Sequence, residues 1–140
     1  MKTKNLFLFT LLISVFGLFS CSSETIDSIG KDAALNIIAT GNWEKATKSV
    51  SGSEVSGANI ITELLGSDEV INFDKDKKAY VKKEGNTVRS YDYNLNTAKE
   101  MTFDGITYAI QENIVQSVTT LTLVNHTGPV RTQIVFKRKR

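Results

Sequence analysis

The chain has 140 residues, 41% hydrophobic and 23% charged, with 17 Lys+Arg against 15 Asp+Glu. That length supports one domain with a single core, and so even a charge balance disfavours nucleic acid as a partner. One cysteine excludes an intramolecular disulfide and any zinc site built on several thiolates.

At the N-terminus, Lys2 and Lys4 precede an apolar run from Leu6 to Phe19. An apolar stretch of about 7–15 residues behind a basic start is a secretory signal. A membrane-crossing helix needs about 20 apolar residues, and polar Ser22-Ser23-Glu24 follows at once. The run closes on Leu18-Phe19-Ser20-Cys21, which resembles the lipobox recognised by lipoprotein signal peptidase, although Phe19 is bulkier than the commonest residue there. The resemblance implies a type II signal peptide at 1–20, lipid attachment at Cys21, a tether over 21–26 and a domain over 27–140. Several acyl chains, at about 0.8 kcal/mol per buried CH₂, hold a protein firmly where one holds marginally. The expected address is the cell envelope, on the outer membrane, with the membrane itself as a partner through the lipid. Removal of Lys2 and Lys4 leaves 15 Lys+Arg against 15 Asp+Glu, so the mature chain is neutral. The basic end Lys137-Arg138-Lys139-Arg140 either touches anionic head groups or is a solvated strand end that blunts pairing with other chains.

Within the domain, Ile29, Ala33, Ala34, Ile37 and Ile38 share one helical face between Asp27 and Ala39, with Asp27 or Ser28 as cap and Gly41 as stop. The spacing then becomes strand-like. Residues 42–50 predict a first strand beginning with Trp43. Ser51-Gly52-Ser53 and Ser56-Gly57 break it, and 58–65 reads as a helical turn or a strand. Further strands are expected at 70–73, 79–81 and 87–95, with turns at 74–77 and 84–86. The strands 101–103 and 106–110 flank Asp104-Gly105, a hairpin signal because the primed turn needs φ > 0 at both central residues. Threonine-rich 118–124 suits a strand, Gly128-Pro129 turns the chain, and 130–137 ends it. Short runs spaced 8–12 residues apart predict a mainly β fold, an antiparallel meander closing into a small barrel with one short N-terminal helix.

Several features resemble the lipocalin-like lipoproteins of Gram-negative envelopes. They are Gly41-Asn42-Trp43 after a short helix, Ile71-Asn72-Phe73-Asp74-Lys75-Asp76, the serial hairpins, Thr120-Leu121-Thr122-Leu123 and the closing Val135-Phe136-Lys137-Arg138. The resemblance implies a lipocalin-like barrel over roughly 35–138 with Trp43 as its floor. It also implies Arg138 or Lys137 as a cationic lid on that indole, worth about 0.5–2 kcal/mol. The stretch from Ser51 to Ser67 departs from the pattern, being polar and glycine-rich.

Chemistry is sparse. His126, the single histidine, falls in Asn125-His126-Thr127-Gly128-Pro129, which reads as a turn. With Cys21 lipidated, Cys–His catalysis has no thiol, and no multi-His metal site can form. Asp74-Lys75-Asp76 lacks the remaining ligands of a calcium loop, and no phosphate-binding glycine loop appears. The expectation is a protein that is not an enzyme and has no cofactor or metal. Tyr80, Tyr91, Tyr93, Phe103, Tyr108 and Phe136 are strand aromatics. They either line a pocket for a small hydrophobic or amphipathic ligand or fill the core. The alternative function is an envelope protein-interaction module, an inhibitor or assembly factor, with a filled core and an exposed patch around 51–67. Asp27-Ser28-Ile29 also resembles a bacterial O-glycosylation triplet at Ser28.

Overall fold

The computed structural model describes residues 23–52, 59–114 and 117–138. The signal segment, Cys21, the side chain of Ser28, residues 53–58 of the Ser51–Ser67 stretch, and Lys139-Arg140 lie outside the described residues.

Helix α1 (Ser23–Ala39) starts earlier than its periodicity suggests, so residues 23–26, expected as tether, are helical. Ala34 and Ile38 are buried and Leu35 and Ile37 pack against the core. Among the described residues, no helix is long and apolar enough to cross a membrane.

Among the described residues nine strands follow: β1 (Lys45–Ser51), β2 (Ile60–Glu63), β3 (Glu69–Phe73), β4 (Lys78–Lys83), β5 (Asn86–Thr97), β6 (Glu100–Phe103), β7 (Ile106–Ile110), β8 (Thr120–Thr127) and β9 (Val130–Lys137). The ambiguous 58–65 segment contains a strand. Strands β3 to β9 lie in sequential order, and β1 then packs beside β9 with β2 outside it. Every pairing is antiparallel. The turn chemistry accounts for the meander: Glu84-Gly85 has φ of 49° and 81°, and Asp104-Gly105 has 49° and 80°. Both pairs have the two positive φ values that the right-handed twist of a hairpin requires. His126 is not in a turn. It pairs with Arg131 in the β8–β9 ladder, and the reversal is confined to Gly128-Pro129.

The sheet curls into a half-barrel. Its margins meet where Trp43, just before β1, exchanges two backbone hydrogen bonds with Ile71 of β3, both 2.9 Å. Alternation along the strands directs Ile71, Phe73, Val81, Tyr93, Leu95, Met101, Phe103, Tyr108, Leu121, Leu123, Ile134 and Phe136 inward, and all are buried. Gly52 is fixed by a close approach. Its φ is 142°, and a Cβ there would stand 2.3 Å from the Pro129 carbonyl oxygen across the β1–β9 ladder.

Candidate functional site

The two ends of the half-barrel differ. At the end carrying the β3–β4 and β5–β6 turns, α1 lies across the opening and Trp43 plugs it. Trp43 is fully buried, and its indole N–H donates to the Ile38 carbonyl at 3.1 Å. Arg138 stands over the ring with its guanidinium carbon 3.9 Å from the centroid. The same guanidinium donates to the carbonyls of Ile37 at 2.7 Å and Ile38 at 3.3 Å, and to that of Thr40. Those carbonyls are the unsatisfied acceptors of a helix C-terminus, where the macrodipole also favours a cation. Burial pulls the Arg138 pKa down from its ordinary value. Lys137, the other residue considered for this role, is exposed at the end of β9, opposite Lys45.

Above the plug the interior is occupied by rings. Phe73 sits 4.9 Å from Tyr93, 5.3 Å from Phe136 and 6.2 Å from Phe103, and Phe103 sits 5.5 Å from Phe136. Most of these contacts are edge-on, the arrangement the ring quadrupole prefers. The structure brings Tyr93, Phe103, Tyr108 and Phe136 together as buried core. Tyr91 is half-buried at the edge of the cluster, 5.2 Å from Phe103. Tyr80 belongs to neither a core nor an interior pocket. Its neighbours Ala79 and Val81 take the inward positions, so Tyr80 faces outward and its hydroxyl bonds the Asp76 carboxylate. The Tyr93 hydroxyl donates to the Asp74 carbonyl at 2.6 Å, and burial pushes its pKa up to about 12.

The open end carries the Glu84-Gly85, Asp104-Gly105 and Gly128-Pro129 turns. Space above the rings is about 40 Å³, bounded by Lys48, Tyr91, Phe103, Ile106, Tyr108 and Ile134. This approximates the room for one water. Across the rim runs an ion pair that no local pattern announced. Arg89 of β5 donates to Glu69 of β3 through both terminal nitrogens, at 2.9 and 2.6 Å, and to the Leu64 carbonyl at 2.6 Å. The Gly66 amide donates to the same carboxylate at 2.8 Å. The Arg89 guanidinium, and then the Gly66 amide, hold the Glu69 carboxyl down at about 2. Glu69 in turn raises the Arg89 pKa.

Apolar side chains are exposed near this rim: Ile60 is 52% and Ile61 65% accessible on β2, with Val88 and Ile106 also exposed. An open groove of about 670 Å³ lies on the outer surface, where the β2–β3 link leaves β1, between Glu44, Lys45, Leu65, Ser67 and Lys137. Among the described residues no cluster of His, Cys, Asp and Glu has metal-binding geometry. The chain matches no known family model, no curated protein and no solved structure.

Proposed function

We propose that this chain is a lipocalin-like lipoprotein of the cell envelope, held to the membrane by lipid on Cys21, that works by contact with a protein partner at its open end. The observation carrying this reading is the packed interior. Four of the six strand aromatics considered as ligand-lining are core, and about 40 Å³ remains above them. Pockets for drug-sized ligands span roughly 300–1,000 Å³. The surface supplies what the interior lacks. Ile60 and Ile61 point to opposite faces of a four-residue edge strand and are both more than half exposed. Edge strands and exposed apolar patches are where chains meet one another.

One experiment tests the choice between surface and interior. The purified full chain is titrated with a fluorescent fatty acid, beside a photo-crosslinker placed at Ile61 or, as a control, at Thr122 in cells. The expected result is no saturable fatty-acid binding and a discrete crosslinked protein from position 61 only. Stoichiometric fatty-acid binding, or identical crosslinks from both positions, would refute the reading. For the anchor, Cys21→Ser is expected to abolish acyl labelling and leave an unprocessed precursor. Unchanged labelling would refute it.

A further inference from the structure

The end of the domain plugged by Trp43 is also the end from which the chain leaves. Helix α1 begins at Ser23, two positions after Cys21. Two residues reach at most about 7 Å, so lipid on Cys21 holds the first turn of α1 against a bilayer. The helix has 17 residues, roughly 25 Å at 1.5 Å per residue. It crosses the plugged end: a Cβ built on Gly30 would stand 4.0 Å from the Ala98 side chain in the β5–β6 turn, and its last carbonyls meet Arg138. A chain this short between anchor and fold leaves little freedom to turn the domain over.

The same end holds a recess of about 200 Å³ between α1 and the β3–β4 turn. Lys31, Lys75 and Lys77 line it with a single carboxylate, Asp32, while Leu35 and Tyr93 contribute to its wall. None of the three ammonium groups takes part in the ion pairs found among the described residues. The nearby Asp76 is already engaged by the Lys78 amide and the Tyr80 hydroxyl. Among the lining side chains three cations stand against one anion, with the Asp74 and Asp76 carboxylates of the β3–β4 turn close enough to act on Tyr93. Beside the point of attachment, the three ammonium groups are the part of this surface suited to an anionic leaflet. A lysine near such a surface contributes roughly fivefold in affinity.

We propose that the plugged end rests on the bilayer, with the Lys31, Lys75 and Lys77 recess seated on an anionic phospholipid head group, and that the open end points away from the membrane. This orientation rests on the reading of Cys21 as the anchor, and it sets the exposed Ile60 and Ile61 toward the aqueous side.

The test uses the lipidated full chain in phosphatidylcholine vesicles with or without phosphatidylglycerol. A single thiol-reactive dye is placed at Lys99→Cys or at Asn86→Cys, and the quencher is carried by lipid. The two sites flank opposite ends of β5, a strand of 12 residues, roughly 40 Å if fully extended. Position 99 is expected to be quenched several-fold more strongly than position 86, with a larger difference when phosphatidylglycerol is present. The Lys31→Glu/Lys75→Glu/Lys77→Glu variant is expected to lose that enlargement while remaining acylated. Equal quenching at the two positions would overturn the orientation. Indifference of the wild-type protein to phosphatidylglycerol, or loss of the enlargement on adding inorganic phosphate, would overturn the head-group assignment. The mass of the Cys21 peptide separates these failures from failure of the anchor, since an unacylated Cys21 refutes the earlier reading and leaves nothing to orient.

Discussion

Arg138, just past the end of β9, covers the face of Trp43, which precedes β1, and its terminal nitrogens bond the Ile37 and Ile38 carbonyls of α1 and that of Thr40 just beyond it. One side chain therefore joins the helix to the first and last strands. Arg138→Ala removes the ring contact, worth about 0.5–2 kcal/mol, together with charge-assisted hydrogen bonds worth about 1.5–3 kcal/mol each at most. The expected loss is about 3 kcal/mol, read as a lower urea midpoint. Arg138→Lys should recover only a minor part, because a single ammonium cannot stack on the ring and reach several carbonyls at once.

Phe103 separates the buried rings from the small space at the open end. Phe103→Ala should cost about 3–5 kcal/mol. If the domain remains folded, the variant should also gain a cavity large enough for a small aromatic molecule. Benzene should then raise the melting temperature of the variant and leave the wild-type protein unchanged, as calorimetry would show. A wild-type protein stabilised equally by benzene would mean that its interior is not packed.

Titration should act at both extremes of pH. The Glu69 carboxyl is held at about 2 by Arg89, below its ordinary 4.5. Its contribution to stability is present above pH 4.5 and drains away as pH falls toward 2. Tyr93 is raised from 10 to about 12 by burial. The folded state favours its neutral form, so that contribution is intact below pH 10 and is lost as pH rises through 12. Urea unfolding across pH should show both declines. Glu69→Gln should flatten the acid limb, and Tyr93→Phe the alkaline one.

Gly52→Ala should destabilise by about 1–3 kcal/mol, since the new Cβ meets the Pro129 backbone at a positive φ. Thermal melts of this variant beside Gly85→Ala, whose site is open, would separate the steric part from the conformational one.

What could be seen in the sequence was what is encoded locally. Asp104-Gly105 is a primed turn because of two adjacent residues, and the flanking strands inherit their faces from it. Within the strand expected at 87–95, Tyr91, Tyr93 and Leu95 fall two residues apart, and that face is the inward one. The contact of Trp43 with Arg138 came from a family resemblance, since no period links residues so far apart. Tyr80 misled because Ala79-Tyr80-Val81 is apolar on both faces; Ala79 wins the inward position opposite the bulky Tyr91. His126 misled because Asn125-His126-Thr127 looks like a loop, yet all three continue to pair with β9. The Arg89–Glu69 pair and the exposure of Ile60-Ile61 were invisible for a shared reason. Each depends on where β2 falls beside β1 and where β3 falls across β4 from β5, which only the arrangement of the whole sheet determines.

Strand β9 comes last of the nine in chain order, yet it lies between β1 and β8 and bonds along the full length of both. The first strand consequently has no central partner until the final residues arrive, and closing so long a loop is slow. For the exported chain proposed above, threaded N-terminus first through a narrow channel, this order of strands defers completion of the sheet until β9 has emerged.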